Sequence, residues 1–283
     1  MISNCKRGLK RKNMYGAILG DIIGSPYERG GAPPIKRFPL FIPESRFTDD
    51  TVMTIAIADA LINNDVCSES SIKNAVIDSM HKWGDKYPKC GFGGKFKAWL
   101  KKKDRKPYWS FGNGSAMRVS SVGWLYDTIK RTRQVAKYTS AVTHDHSEGI
   151  KGAESVASVI FLARNKTPKE DIKKYVENNF FYDLYRTCDE IRPTYKFDVS
   201  CQGTVPEAIT AFLEGQNFED VIRTAVTLGG DCDTLTCIAG SMAEAFYGVP
   251  DNLKEECRKR VTPEMLEIID KFDEIRKRND LLV

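Results

Sequence analysis

The chain has 283 residues, 41% of them hydrophobic, with a formal net charge of +5 at pH 7. That length buries a full core, and no break in composition divides it. Every apolar segment meets a charge before it could span a bilayer, and the stretch from Lys6 to Lys12 is basic rather than apolar, so neither a membrane span nor a secretory leader is expected.

Lys6, Arg7, Lys10, Arg11 and Lys12 carry the whole positive excess, and the remainder is near neutral. Residues 1–13 therefore read as a flexible basic tail, with Met14 a candidate start and 14–283 a single domain. Such a tail supports only weak, salt-sensitive contact with nucleic acid, which is the less favoured partner. Eight cysteines are scattered without a C-x-x-C pair, which suits reduced thiols in a cytoplasmic protein.

From Met14 a run rich in glycine and isoleucine predicts a tightly packed helix ending at Gly24-Ser25-Pro26, with Glu28 just beyond. Residues 30–43 contain four prolines and read as a loop, a candidate flap over a site. Phe47-Thr48-Asp49-Asp50-Thr51 then leads into an apolar helix over 52–63. A helix over 70–83 carries His81. The glycine-rich loop 90–94 precedes a basic run from Lys95 to Lys106, which reads first as a solvated face and second as a guide for a polyanion. Trp109-Ser110-Phe111-Gly112-Asn113-Gly114-Ser115-Ala116-Met117-Arg118 enters a helix continuing to 125. Backbone amides at such glycines can approach an anion, although Gly-Asn-Gly is also an ordinary turn.

Further helices are predicted over 134–142, 149–164, 169–178, 205–213, 218–228 and 264–278, with one strand at 196–199. Gly229-Gly230-Asp231-Cys232-Asp233-Thr234 opens an apolar helix over 235–246. The sum is a mostly α chain of about a dozen helices, many nearly apolar all round and so central in a multilayer bundle.

Both acid clusters stand at helix starts, where a side chain capping free amides contributes roughly 0.5–2 kcal/mol. Capping accounts for one acid per helix, not for two pairs. If the helices meet start to start, four carboxylates converge, and two unit charges about 4 Å apart cost about 4 kcal/mol at an effective dielectric of 20. Oxygen ligands of this kind call for magnesium, with manganese the alternative, and they leave room for two ions. With only His81, His144 and His146 available and no Gly-x-Ser-x-Gly, metal-activated water is the economical attacking group.

Five blocks in fixed order carry a resemblance to the ADP-ribosylglycohydrolase family, the group that includes dinitrogenase reductase-activating glycohydrolase and the vertebrate ADP-ribosylhydrolases. They are Gly20-Asp21-Ile22-Ile23-Gly24 with Glu28, Thr48 to Thr51, Gly112 to Arg118, Thr143-His144 with Glu148-Gly149, and Gly229 to Thr234. The resemblance implies an all-α fold, a compact orthogonal multi-helix bundle with a binuclear metal cleft, and a magnesium-dependent hydrolase removing ADP-ribose from an arginine or serine side chain by attack of metal-activated water at the anomeric carbon. It implies Thr48, Asp49, Asp50, Asp231, Asp233 and Thr234 as metal ligands and Asp231 and Glu28 as catalytic carboxylates. Ser110, Phe111, Gly112, Asn113, Gly114, Ser115, Met117 and His144 would contact substrate. ADP-ribosylated protein and ADP-ribose are the expected partners, and a monomer is expected. Cys232 stands where the family has threonine. Two other readings are an ADP-ribose reader without catalysis and an all-α diphosphate enzyme of the prenyl-transfer type; the latter lacks the third acid of a D-D-x-x-D run.

Overall fold

The computed structural model describes residues 14–64 and 68–280, with side chains described to residue 275. The expected tail, Cys5 and Cys67 lie outside the described residues. Fifteen α-helices are present among them: α1 (Tyr15–Gly24), α2 (Asp49–Ile62), α3 (Glu69–Lys86), α4 (Gly94–Leu100), α5 (Gly114–Met117), α6 (Ser120–Leu125) and α7 (Ile129–Ala141). There follow α8 (Ser147–Arg164), α9 (Lys169–Phe180), α10 (Cys188–Ile191), α11 (Cys201–Glu214), α12 (Phe218–Leu228), α13 (Cys232–Tyr247), α14 (Asp251–Arg258) and α15 (Pro263–Asp280). A 3₁₀ turn, Ser25–Tyr27, continues α1. No helix is long and apolar enough to cross a membrane among the described residues.

Small residues decide the central packing. Gly16, Gly20 and Gly24 form one stripe of α1, and a Cβ at any of them would collide with Gly240, Thr236 or Cys232–Asp233 of α13 respectively. The two helices therefore run antiparallel at close backbone approach, and this pair is the most extensive among the described residues. Both are buried nearly along their whole length, which is why neither shows a polar face. The antiparallel course sets the end of α1 beside the start of α13. Helix α2 packs alongside with its own start at the same end, so the fold gathers the acid-bearing termini.

The expected helix running through 125 is two short ones, α5 and α6. Amides at Val119 and Val122 bond three residues back rather than four, and at the junction of the two helices Arg118 turns inward to donate to Thr139 O at 3.2 Å and Thr143 Oγ1 at 2.8 Å. The expected strand over 196–199 is not formed; the only pairing there is an isolated bridge between Gly112 and Ser200. Helix α11 begins before the expected start, capped by Ser200 through the Gly203 amide. Helices α10 and α14 are additional to the sequence reading. The basic run is half helix and half turn, with Phe96 and Trp99 buried beneath it. His81 lies against Trp99 in the core. The six described cysteines are all free, and five are buried.

Candidate metal centre and substrate cleft

The two acid clusters meet. Thr48 caps α2, accepting the Asp50 amide at 3.4 Å. Asp21, buried inside α1, receives four donors from this turn: Thr48 N at 2.8 Å, Thr48 Oγ1 at 2.7 Å, Thr51 N at 3.1 Å and Thr51 Oγ1 at 2.5 Å. Across the cleft, Thr234 Oγ1 donates to Asp50 Oδ2 at 3.1 Å, joining the start of α13 to the start of α2. Asp50 Oδ1 is buried with no hydrogen-bond partner.

Carboxylate oxygens of Asp21, Asp50 and Asp233 lie within 4.8 Å of one another, and those of Glu28, Asp231 and Asp233 do the same. Asp233 belongs to both groups. Burial raises these acids: Asp21 is pushed up to about 6 and Asp49 to about 7, the latter also by the Asp21 charge. Asp50 and Asp233 stand well above the ordinary carboxylate value through burial and then through the neighbouring acids Asp233 and Asp231 respectively. Protons can be held this way, but the orphaned Asp50 oxygen and two oxygen-only groups sharing one carboxylate fit divalent cations better.

Asp231 is held from the other side. Asn113 Nδ2 donates to Asp231 Oδ2 at 2.6 Å and contacts Thr204 Oγ1 at 3.0 Å. Gly229 and Gly230, both at positive φ, make the turn that presents it. Gly91, at φ +124°, lets a loop approach Asp49, since a Cβ there would stand 2.7 Å from Asp49 Oδ1.

A cleft of about 370 Å³ opens over these acids, a volume within the roughly 300–1,000 Å³ of small-molecule sites. Segment 108–112 alternates: Tyr108, Ser110 and Gly112 line the cleft, whereas Trp109 and Phe111 turn outward, edge-on to His146. Bonds from Asn113 N to Val199 O at 2.8 Å and from Cys201 N to Phe111 O at 2.9 Å fix this segment to its neighbour.

His144 is buried with Nε2 aimed at Gly112 and Gly114, where Cβ atoms would stand 3.4 and 3.2 Å away. Its Nδ1 is 2.8 Å from Thr143 Oγ1, which also accepts from Arg118. The Thr143 proton thereby goes to Nδ1, and this network assigns the Nε2–H tautomer, a donor facing the cleft. Burial and then the Arg118 charge hold the ring far below the usual imidazole value, so it is neutral. Arg118 itself is fully buried and lines the cleft, and burial brings it down to about 10.

Of the sequence-derived positions, Glu28, Asp49, Asp50, Ser110, Gly112, Asn113, Gly114, Met117, His144, Asp231, Asp233 and Thr234 line the cleft. Thr48 lies behind them. Ser115 points away, donating to Gly149 O at 2.7 Å and tying α5 to α8. The Phe111 ring is outside the lining. Sequence reading gave no role to Asp21, Gly91, Arg118 or Thr204. The available signal for Asp21 was a lone acid inside an apolar helical run. Of the basic run, Lys95 and the buried Phe96 reach the cleft.

The ADP-ribosylglycohydrolase family model matches residues 11–281. The chain belongs to this family. Among curated members it is similar to ADP-ribosylhydrolase ARH3 of Mus musculus, 24% identical with 86% of each chain covered. The human ARH3 is likewise 24% identical over 86% of this chain and 87% of its own. ADP-ribosylarginine hydrolase Tri1 of Pseudomonas putida (strain GB-1) is 24% identical, covering 83% of this chain and 70% of that one. A solved structure described as an ADP-ribosylglycohydrolase-related protein complex superposes with a TM-score of 0.65 at 21% identity, covering 94% of this chain and 98% of that chain. Membership in the ADP-ribosylglycohydrolase family agrees with the all-α bundle and makes the chain a hydrolase of ADP-ribose linkages.

Proposed function

We propose that this chain is a magnesium-dependent hydrolase that releases ADP-ribose from a modified arginine or serine side chain. The observation that carries the reading is Asp233, common to two carboxylate groups on the floor of a cleft flanked by Gly112-Asn113-Gly114. Thr48, Asp49, Asp50, Asp231, Asp233 and Thr234 are the side chains assigned to hold two ions, with Asp21 behind them and Glu28 at the rim. When bound, magnesium would neutralise the converging carboxylates and make water a stronger nucleophile near neutral pH.

The rest is the work of the chain. Asn113 fixes one Asp231 oxygen and so orients the carboxylate that takes the proton of the incoming water. Glu28, on the rim, is placed to exchange a proton with the departing side chain, a division between two carboxylates familiar from glycoside cleavage. The Nε2–H of His144 offers a neutral donor to ribose or diphosphate oxygens. Gly112 and Gly114 keep side chains out of that contact.

Arginine- or serine-ADP-ribosylated protein should lose its label in magnesium buffer, and chelation should stop the loss. Asp231→Ala and Asp50→Ala should remain folded by circular dichroism while activity falls at least a hundredfold, about 2.7 kcal/mol in barrier. An active Asp231→Ala enzyme would overturn the assigned ligand set. Label retained on both acceptors, with ADP-ribose still bound, would identify a reader instead.

A further inference from the structure

Next to the main cleft is a second, more open one of about 670 Å³, and the two share Glu28 and Phe197 as a common wall. Its other walls include Arg29, Tyr195, Lys196 and Gly230. Gly230 immediately precedes Asp231, so this recess begins one residue from the acid centre. One wall is fixed: Tyr195 donates to Gly203 O at 3.1 Å, and a Cβ at Gly230 would press on the Tyr195 ring and stand 3.2 Å from Lys196 O. The backbone of Lys196 is thus packed against the turn that presents Asp231.

The recess carries two exposed cations, Arg29 and Lys196, and neither forms an ion pair among the described residues. Its one acid, Glu28, has its carboxylate oxygen drawn into the group with Asp231 and Asp233. The residues that wall the recess therefore carry a positive excess. The proposed function assigns Gly112, Gly114 and His144 to the nucleotide and Glu28, the wall common to both clefts, to the departing side chain. The acceptor side of the scissile bond is left to face Arg29 and Lys196.

We propose that this recess is the acceptor subsite and that it selects a peptide carrying carboxylates beside the modified side chain. The inference rests on the hydrolase reading and adds the charge of the acceptor segment to it. Two cations and one aromatic ring suit a short acidic peptide; a nucleic-acid strand calls for a longer cationic track. The reaction balances as hydrolysis. The bond from the anomeric carbon to the acceptor atom breaks with its electron pair on the acceptor, which takes up a proton. Water oxygen bonds to the anomeric carbon and gives up a proton.

The test compares four ADP-ribosylated peptides, with the modified residue serine or arginine and its neighbours glutamate or lysine, using the full chain in magnesium buffer. The glutamate-flanked member of each pair should show about tenfold higher kcat/KM at low salt, and the ratio should shrink as ionic strength rises to about 0.5 M. In Arg29→Ala/Lys196→Ala the ratio should fall toward one, and Lys196→Glu should reverse it, with folding checked by circular dichroism. Equal rates within each pair, or faster lysine-flanked peptides, overturn the inference while leaving the hydrolase standing. Faster release from an ADP-ribosylated oligonucleotide also overturns it, in favour of nucleic acid. Hydrolysis of none of these substrates removes the hydrolase reading and the inference together.

Discussion

Asp21 occupies a place where an acid has no intrinsic reason to be, fully buried in a helix of glycine and isoleucine. Its four hydrogen bonds tie the first turn of α2 to α1, so that Thr48, Asp49 and Asp50 are oriented by a residue 27 or more positions earlier. Burial makes the charged form costly, and the four donors oppose that cost. In Asp21→Asn one of the two accepting oxygens becomes a donor, so at least one of the four bonds must be lost or reversed, at up to about 1–3 kcal/mol. The expected consequence is a 10- to 100-fold loss of affinity for magnesium or manganese, roughly the effect of removing an outer hydrogen-bond partner of a metal ligand. Calorimetric titration reads this directly. Unchanged affinity in a folded Asp21→Asn protein would show that Asp21 does not orient the ligand turn.

Residue-level chemistry was the most legible part of the sequence where it coincided with a helix start. Asp49, Asp50, Asp231 and Asp233 announce themselves because helix starts tolerate acids, and two doubled acids exceed what capping requires. Asp21 and Arg118 were opaque for the opposite reason: their partners, Thr48 and Thr143, are brought to them only by packing. Phe111 illustrates a third case. An extended segment sends alternate side chains to opposite sides, and which side faces the cleft is set by the bridge to Ser200, a contact with no local signature.

Among the elements, the loop over 28–43 is anchored unevenly along its length. Gly30 and Gly31, at φ +109° and +80°, have open space around their Cβ positions. The second half is strapped to α12. Arg223 Nη1 donates to Lys36 O at 2.9 Å and Phe38 O at 2.6 Å, its guanidinium lies 5.0 Å from the Phe38 ring centre, and Lys36 pairs with Asp220 at 2.8 Å. Sequence alone gave the loop from its prolines and glycines but not this anchor, because Arg223 reads as an ordinary polar position of an amphipathic helix. Arg223→Ala removes two bonds to backbone carbonyls and a ring contact. Trypsin should then cut after Arg29, Lys36 or Arg37 several-fold faster, with kcat/KM reduced through loss of Glu28 positioning and a stability change of only about 1–2 kcal/mol. Mass spectrometry of timed digests measures the first effect. An unchanged cleavage rate would mean that the loop is held elsewhere.

At the scale of the molecule, the antiparallel pairing of α1 with α13 exists at the expense of concentrating like charge. Asp21, Asp49, Asp50, Asp231 and Asp233 all have native pKa values raised above the ordinary carboxylate range, chiefly by burial. Groups raised in the folded state bind more protons there than in the unfolded chain, so stability declines as pH rises through their folded values. For Asp21 and Asp49, displaced from 3.8 to about 6 and about 7, the window runs from about pH 4 to pH 7. Protein stripped of divalent ions with chelator should therefore melt at a lower temperature at pH 8 than at pH 5.5. Magnesium, which the carboxylates can bind only when ionised, should restore most of the lost stability at pH 8 and little at pH 5.5. Differential scanning fluorimetry at both pH values, with and without magnesium, makes the comparison. A stripped protein that gains stability on going from pH 5.5 to pH 8 would mean that the acids at the junction of α1, α2 and α13 do not carry the charge strain that their burial implies.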